Sequence, residues 1–190
     1  MIKKISFITG TFFLLSISFN ALSSEVASKD PAESIILILN KLERFSNNAD
    51  STNTDKSHTF IKNNIISHFA LNEMAQWISG PYSKNMSLKE KNGFKKQLEK
   101  AFIKIISNNI GSFKTIKTRV KIQPTQYKSD NEAIIKTRVT LYNNSPIKLD
   151  FHMRLIKSQW KIIDIKTLKT SALIYYRHYF MPQLRMYAQK

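Results

Sequence analysis

Two hydrophobic periods divide this chain, and the change between them limits the folds open to it. Up to about residue 112, apolar side chains recur every three or four positions. From residue 114 to residue 165 they alternate with polar ones. The first spacing lays a stripe along a helix; the second gives a strand one oily face. Helices first and strands afterwards is an α+β order, with the helical layer packed on one face of the sheet.

The helical half can be read in pieces. Asp30 is placed to cap, and Pro31 suits the first turn of a helix whose stripe is Ile35, Ile36, Leu39, Leu42 and Phe45. The polar run 46–57 reads as a loop, followed by a helical stretch over 58–70 with Phe60, Ile61, Ile65, Ile66 and Phe69. Asn72 is expected to cap a short helix holding Met74, Trp77 and Ile78, closed by Gly80-Pro81. Ser87 and Glu90 form a capping-box pattern. They open a helix carrying Phe94, Leu98, Phe102, Ile105 and Ile106, which Gly111 should end.

The alternating half contains four expected strands, 114–123, 133–142, 146–155 and 159–165. Ile147, Leu149, Phe151 and Met153 face one way in the third, against Lys148, Asp150, His152 and Arg154. Asn143 to Pro146 supplies the turn before it, and a last helix from about Ser171 carries Leu173, Ile174, Tyr176, Phe180, Leu184 and Tyr187. The expectation is a four-stranded antiparallel meander, apolar in and charged out.

The first residues stand apart. Lys3 and Lys4 precede an uncharged run from Ile5 to Phe19, and Ala21 and Ser23 are small. That is the layout of a cleavable secretory leader over 1–23, leaving 24–190 as one exported domain. The run is short for a spanning helix, which needs roughly twenty residues; an uncleaved anchor is the alternative. With no cysteine, the chain has no thiol catalysis, no thiolate-bound zinc and no lipidated N-terminal cysteine. Loss of Lys3 and Lys4 leaves 28 basic and 13 acidic residues, a net charge of +15. Export and the even spread of the lysines argue against nucleic acid; anionic headgroups suit the charge better.

Catalysis finds little support. The four histidines, His58, His68, His152 and His178, show no metal-ligand spacing, and neither HExxH nor GxSxG occurs. Asp150 and His152 share a strand face with Lys148 and Arg154, which reads as a solvated charged face. By alternation Asp164 should point inward with Trp160 and Ile162, as a partly buried acid that caps a helix or meets a lysine. The aromatic stripes read as ordinary core. From the residues alone the chain is an exported α+β domain without evident chemistry.

The stretch SQWKIIDIKTLKTSALIYYR (158–177) resembles the end of the sheet in the toluene-tolerance family, the periplasmic phospholipid-binding proteins of the MlaC type. The matching positions are Trp160, Asp164, Ser171 and Tyr176-Arg177. Residues 146–154 look like that family's Pro-x-x-Leu-x-Phe strand, residues 77–102 like its Leu-Gly and phenylalanine-rich helix, and 30–45 like its Pro-led first helix. Thr170 stands where the family usually has glycine, and Ser79 where it has leucine.

The resemblance implies an apolar cavity between sheet and helices, in a cone resembling nuclear transport factors, that holds a diacyl phospholipid without cofactor, metal or nucleophile. It further implies traffic between an outer-membrane lipoprotein/porin complex and an inner-membrane transporter bearing a mammalian-cell-entry domain. Under it the acyl contacts fall to Trp77, Phe94, Leu98, Phe102, Phe151, Met153, Trp160, Ile162, Tyr176 and Phe180. Asp164 and Ser171 would fix the turn from last strand to last helix through backbone N–H groups. Two other readings stay open: a small enzyme on a cone-shaped fold using Asp164 or His152, and an adaptor that binds a membrane-protein partner without lipid.

Overall fold

The computed structural model describes residues 30–140 and 146–189. The expected leader, the lead-in to residue 29 and the turn at 143–145 lie outside the described residues, as do Leu141 and Tyr142.

Helix α1 (Pro31–Ser46) starts as its sequence dictates: Asp30 Oδ1 accepts from the Ala32 N–H at 2.9 Å, and proline fills the first turn. Its buried stripe is Ile35, Ile38 and Leu42, while Ile36 faces out. The polar run after it is not all loop. A 3-10 turn spans Ala49–Thr52, and α2 (Thr54–Asn64) begins where Asn53 accepts from the Lys56 N–H at 3.0 Å. Its first turn is polar because it is exposed, so hydrophobic spacing could not show it. Phe45 and Phe60 stack at 4.0 Å, joining α1 to α2.

Helix α3 (Leu71–Ser79) has no side-chain cap, and Asn72 lies inside its first turn. A tertiary bond fixes the start instead: the Ala70 N–H donates to the Ile162 carbonyl at 2.9 Å. Helix α4 (Leu88–Asn108) has the expected capping box from Ser87 and Glu90, and it buries Phe94, Leu98, Phe102 and Ile103. It ends at Asn108 with Asn109 as its C-cap, before Gly111, which sits in a 3-10 turn over Ile110–Phe113.

Among the described residues the sheet has five antiparallel strands, one more than expected. They are β1 (Val120–Ile122), β2 (Gln126–Ser129), β3 (Glu132–Thr140), β4 (Pro146–Ile156) and β5 (Gln159–Lys166), in the order β1-β3-β4-β5, with β2 also on β3. Strand β2 is exposed throughout, so no alternation marks it. The expected strand at 114–123 is half helix, because α5 (Ile116–Arg119) precedes β1. Ile116 and Val120 are four apart, a spacing that suits either element.

Register gives the sheet two unlike faces. Ala133, Ile135 and Thr137 on β3 stand opposite Met153, Phe151 and Leu149 on β4, facing the helices. Glu132, Lys136, Arg138, Lys148, Asp150, His152 and Arg154 take the other face. Strand β5 keeps that phase only part-way. Met153 pairs with Ile162, but His152 pairs with Asp164, so a bulge at Ile163 shifts the strand by one residue. Asp164 is therefore on the charged face, opposite to the inward placing that alternation predicts, and Ile165 comes in opposite Phe151.

Helix α6 (Ala172–Arg185) closes the chain, with Ser171 as its cap. Its Arg177 joins two distant motifs. The guanidinium lies 4.4 Å over the Trp77 ring and donates to the carbonyls of Trp77 and Ile78 (3.1 Å for Ile78), satisfying the end of α3. Gly80 has φ +52°, and a Cβ there would sit 2.8 Å from Arg177 Nη2. Gly80→Ala should cost about 1–3 kcal/mol from backbone strain, visible as a lower urea midpoint with an unchanged slope.

Candidate ligand cavity

The two layers do not meet everywhere. Around the first half of α4 the interior is filled: Phe94 meets Phe180 edge-on at 5.1 Å, and Leu98 and Met153 are fully buried. Around the second half a cavity of about 430 Å³ remains between α1, α4, α6 and the inner face of β4 and β5. Its walls are almost wholly carbon: Ile38 and Leu42 from α1, Phe102 and Ile106 from α4, Leu149 and Phe151 from β4, Ile162 and Ile165 from β5. Phe102 marks the border, stacked on Tyr176 at 4.7 Å and 5.2 Å from Phe69.

Hydroxyl-bearing residues gather at one end but turn their oxygens to the turn and the helix cap, leaving carbon toward the space. Thr167, Thr170 and Ser171 of the β5–α6 connection line the wall there, and the exposed residues Ile105 and Tyr175 complete the open side. The Tyr176 side chain also lines the cavity. Burial, helped by Tyr175 and Tyr179, pushes its pKa up to about 12, so it stays a neutral hydroxyl.

Of the residues that the resemblance marks for acyl contact, Phe102, Phe151, Ile162 and Tyr176 share this cavity. The others lie elsewhere. Leu98, Met153 and Phe180 belong to the filled half of the core. Phe94 also borders a separate hollow of about 230 Å³, lined in part by the polar residues Asn72, Gln76, Lys91 and Lys95. Trp160 packs edge-on against Tyr127 at 6.2 Å, and Trp77 is 47% exposed beneath Arg177. Sequence reasoning missed the contributions of α1 and of Ile106, Leu149 and Ile165. Ile38 lay off the stripe drawn for α1, and only the bulge brings Ile165 inward.

Asp164, from the other face of the sheet, and Ser171, within the wall, hold the start of α6. Asp164, 4% exposed, accepts through Oδ1 from the Ile165 N–H at 2.9 Å and the Leu173 N–H at 3.1 Å. The Ser171 hydroxyl accepts from the Ile174 N–H at 3.1 Å. Between them they seat the first turn of α6 against the end of β5. His152, the cross-strand partner of Asp164, is held below its ordinary pKa by burial and then by Lys166, with Asp164, Asp150 and Glu132 opposing. Among the described residues no three His, Asp or Glu side chains are grouped to hold a metal.

Residues 38–187 match the family model of the MlaC protein. The chain belongs to the MlaC family. Its fold is similar to that of a phospholipid-binding protein from Ralstonia solanacearum, solved in complex with a phospholipid: the TM-score is 0.69 at 12% identity, over 86% of this chain and 96% of that one. At 12% identity that likeness speaks for the fold alone. No curated protein matches the sequence significantly.

Two outcomes check this geometry. Asp164→Ala strands two N–H groups and should cost about 2–4 kcal/mol; Asp164→Asn, which keeps an acceptor, should lose less, and thermal unfolding compares them. Because native His152 holds its proton less tightly than the unfolded chain, stability is complete above the ordinary pKa of 6.5 and falls as the pH drops from there through the lowered native value. His152→Gln should flatten that slope in urea titrations at stepped pH.

Proposed function

We propose that this MlaC-family chain is a periplasmic phospholipid carrier, exchanging lipid between an outer-membrane lipoprotein/porin complex and an inner-membrane transporter with a mammalian-cell-entry domain, and so maintaining outer-membrane lipid asymmetry. The observation that carries the reading is the cavity of about 430 Å³ with carbon walls, open along one side. Such a space suits hydrocarbon and offers an ionic or polar substrate nothing along its length. Family membership supports the choice of phospholipid and partners.

Volume sets the scale. If a methylene fills about 30 Å³, the share of one liquid water, the cavity accepts roughly fourteen, or one acyl chain. At roughly 0.8 kcal/mol per methylene, that burial is worth about 11 kcal/mol. A second chain requires the layers to part or must lie along the open side. An enzyme built on Asp164 and His152 is disfavoured by geometry. Both lie on the sheet face opposite the cavity, and the Asp164 carboxylate is engaged by backbone N–H groups.

Native mass spectrometry of protein purified from cells tests the reading. The wild type should carry a diacyl phospholipid. Ala172→Trp fills the cavity without adding charge and should lower occupancy at least about tenfold, given the burial each methylene loses. Asp150→Ala, on the opposite face, should leave it unchanged. A wild type that neither retains phospholipid nor takes it up from vesicles ends the proposal; an empty chain that still captures a membrane protein would make it an adaptor.

A further inference from the structure

The open end of the cavity has a second feature that carrying lipid does not require. Between Thr167 and Thr170, which both line the cavity, the chain makes a tight turn with Leu168 at its tip. Leu168 is 85% exposed, more than any other large apolar side chain among the described residues. The turn is held by its own bonds: the Thr167 N–H donates to the Thr170 carbonyl at 2.8 Å, and Thr167 Oγ1 accepts from the N–H groups of Lys169 and Thr170 at 3.2 and 3.1 Å. An internally bonded turn keeps the leucine projecting into water, at the cost of its hydration.

The surroundings match one kind of surface. Exposed lysines flank part of the rim, Lys104 beside Ile105, Lys114 beside Phe113 and Lys169 in the turn itself, while Lys148 and Lys166 add positive charge from the outer sheet face behind Leu149 and Thr167. Asp150, which follows Leu149, is flanked across the sheet by Lys136 and Lys166. Helix α6, which leads away from the turn, has no acidic residue and exposes Tyr175 and Tyr179 one turn apart. An apolar tip, tyrosines behind it and lysines at the tip and along part of the rim are what an anionic bilayer surface attracts, with tyrosine at headgroup level and lysine at phosphate.

We propose that the Leu168 turn docks the open end of the cavity directly on anionic bilayers, Leu168 entering the headgroup–acyl boundary and the rim lysines meeting lipid phosphates. The inference rests on the carrier reading, since it gives an acyl chain a path from bilayer to cavity without crossing water. Leu168 and Lys169 lie outside the cavity wall, so changing them leaves the cavity intact.

Vesicle flotation of the exported chain provides the test, with retained lipid read in parallel by native mass spectrometry. The wild type should float with phosphatidylglycerol–phosphatidylethanolamine vesicles, not with phosphatidylcholine, and the bound fraction should fall as salt rises. Leu168→Asp should weaken binding at least about tenfold, and Lys169→Gln roughly fivefold, both with retained lipid unchanged. A wild type that does not float with anionic vesicles, or a Leu168→Asp variant that floats equally well, overturns the proposal. So does a photo-crosslinker at position 168 that captures a protein while vesicles capture nothing. Loss of retained lipid in the wild type with flotation intact would defeat the carrier reading alone.

Discussion

One extra residue in β5 decides how the two layers meet. Without the bulge at Ile163, Ile165 would point to the charged face and Asp164 into the apolar space, where an unpaired carboxylate is costly. With it, Ile165 completes the cavity wall opposite Phe151, and the carboxylate reaches round the edge of the sheet to the Leu173 N–H. The same local shift thus supplies a lining residue and the anchor for α6. An edge strand tolerates it because β5 has a single strand neighbour, and its other side is met by the Phe69–Ala70 segment before α3.

Helix α4 explains why a cavity exists beside a packed core. Its stripe of Phe94, Leu98 and Phe102 is continuous, but the opposing surface is not. Phe180 and Met153 come up to the first two, whereas beyond Phe102 the facing residues recede toward Leu149 and Ile165. The filled half is stabilised by close contact and fixes the spacing of the layers. The other half keeps that spacing with nothing to fill it. Arg177 reinforces the arrangement from outside by tying α6 to the end of α3, which is why the Gly80 and Tyr176-Arg177 motifs, far apart in the chain, belong to one feature.

The period switch, the capped starts of α1 and α4 and the serine entry to α6 were legible because each has a local cause in neighbouring residues. Features set by distant contacts were not. The exposed strand β2 has no apolar face to alternate, and α3 starts at a bond to Ile162 where Asn72 looked like the cap. Burial of Asp164 was readable from its apolar neighbours, yet its face was not, since a bulge leaves no mark in a two-residue period. For the cavity, the stripes show which side chains are oily, but the same pattern describes filled and unfilled interiors. Phe102 and Leu98 are equivalent in the sequence and only one of them borders the space.

A carrier of membrane lipid competes with the bilayer, which already buries both chains. A cavity that shelters about fourteen methylenes leaves an equal number to find cover, a deficit of about 11 kcal/mol by the same transfer scale. The protein can recover it only where its walls can move or where apolar surface adjoins the opening. Motion of the filled half would break Phe94–Phe180, and motion of α6 as a whole would break Phe102–Tyr176, so the room lies on the side where the walls already stand open. The exposed side chains of Ile105 and Tyr175 adjoin the opening. The open side between Ile105 and Tyr175 is therefore where a second chain costs least to accommodate, and the hydrogen bonds of Asp164 and Ser171 to the first turn of α6, with the Phe102–Tyr176 stack, set how far that side can yield.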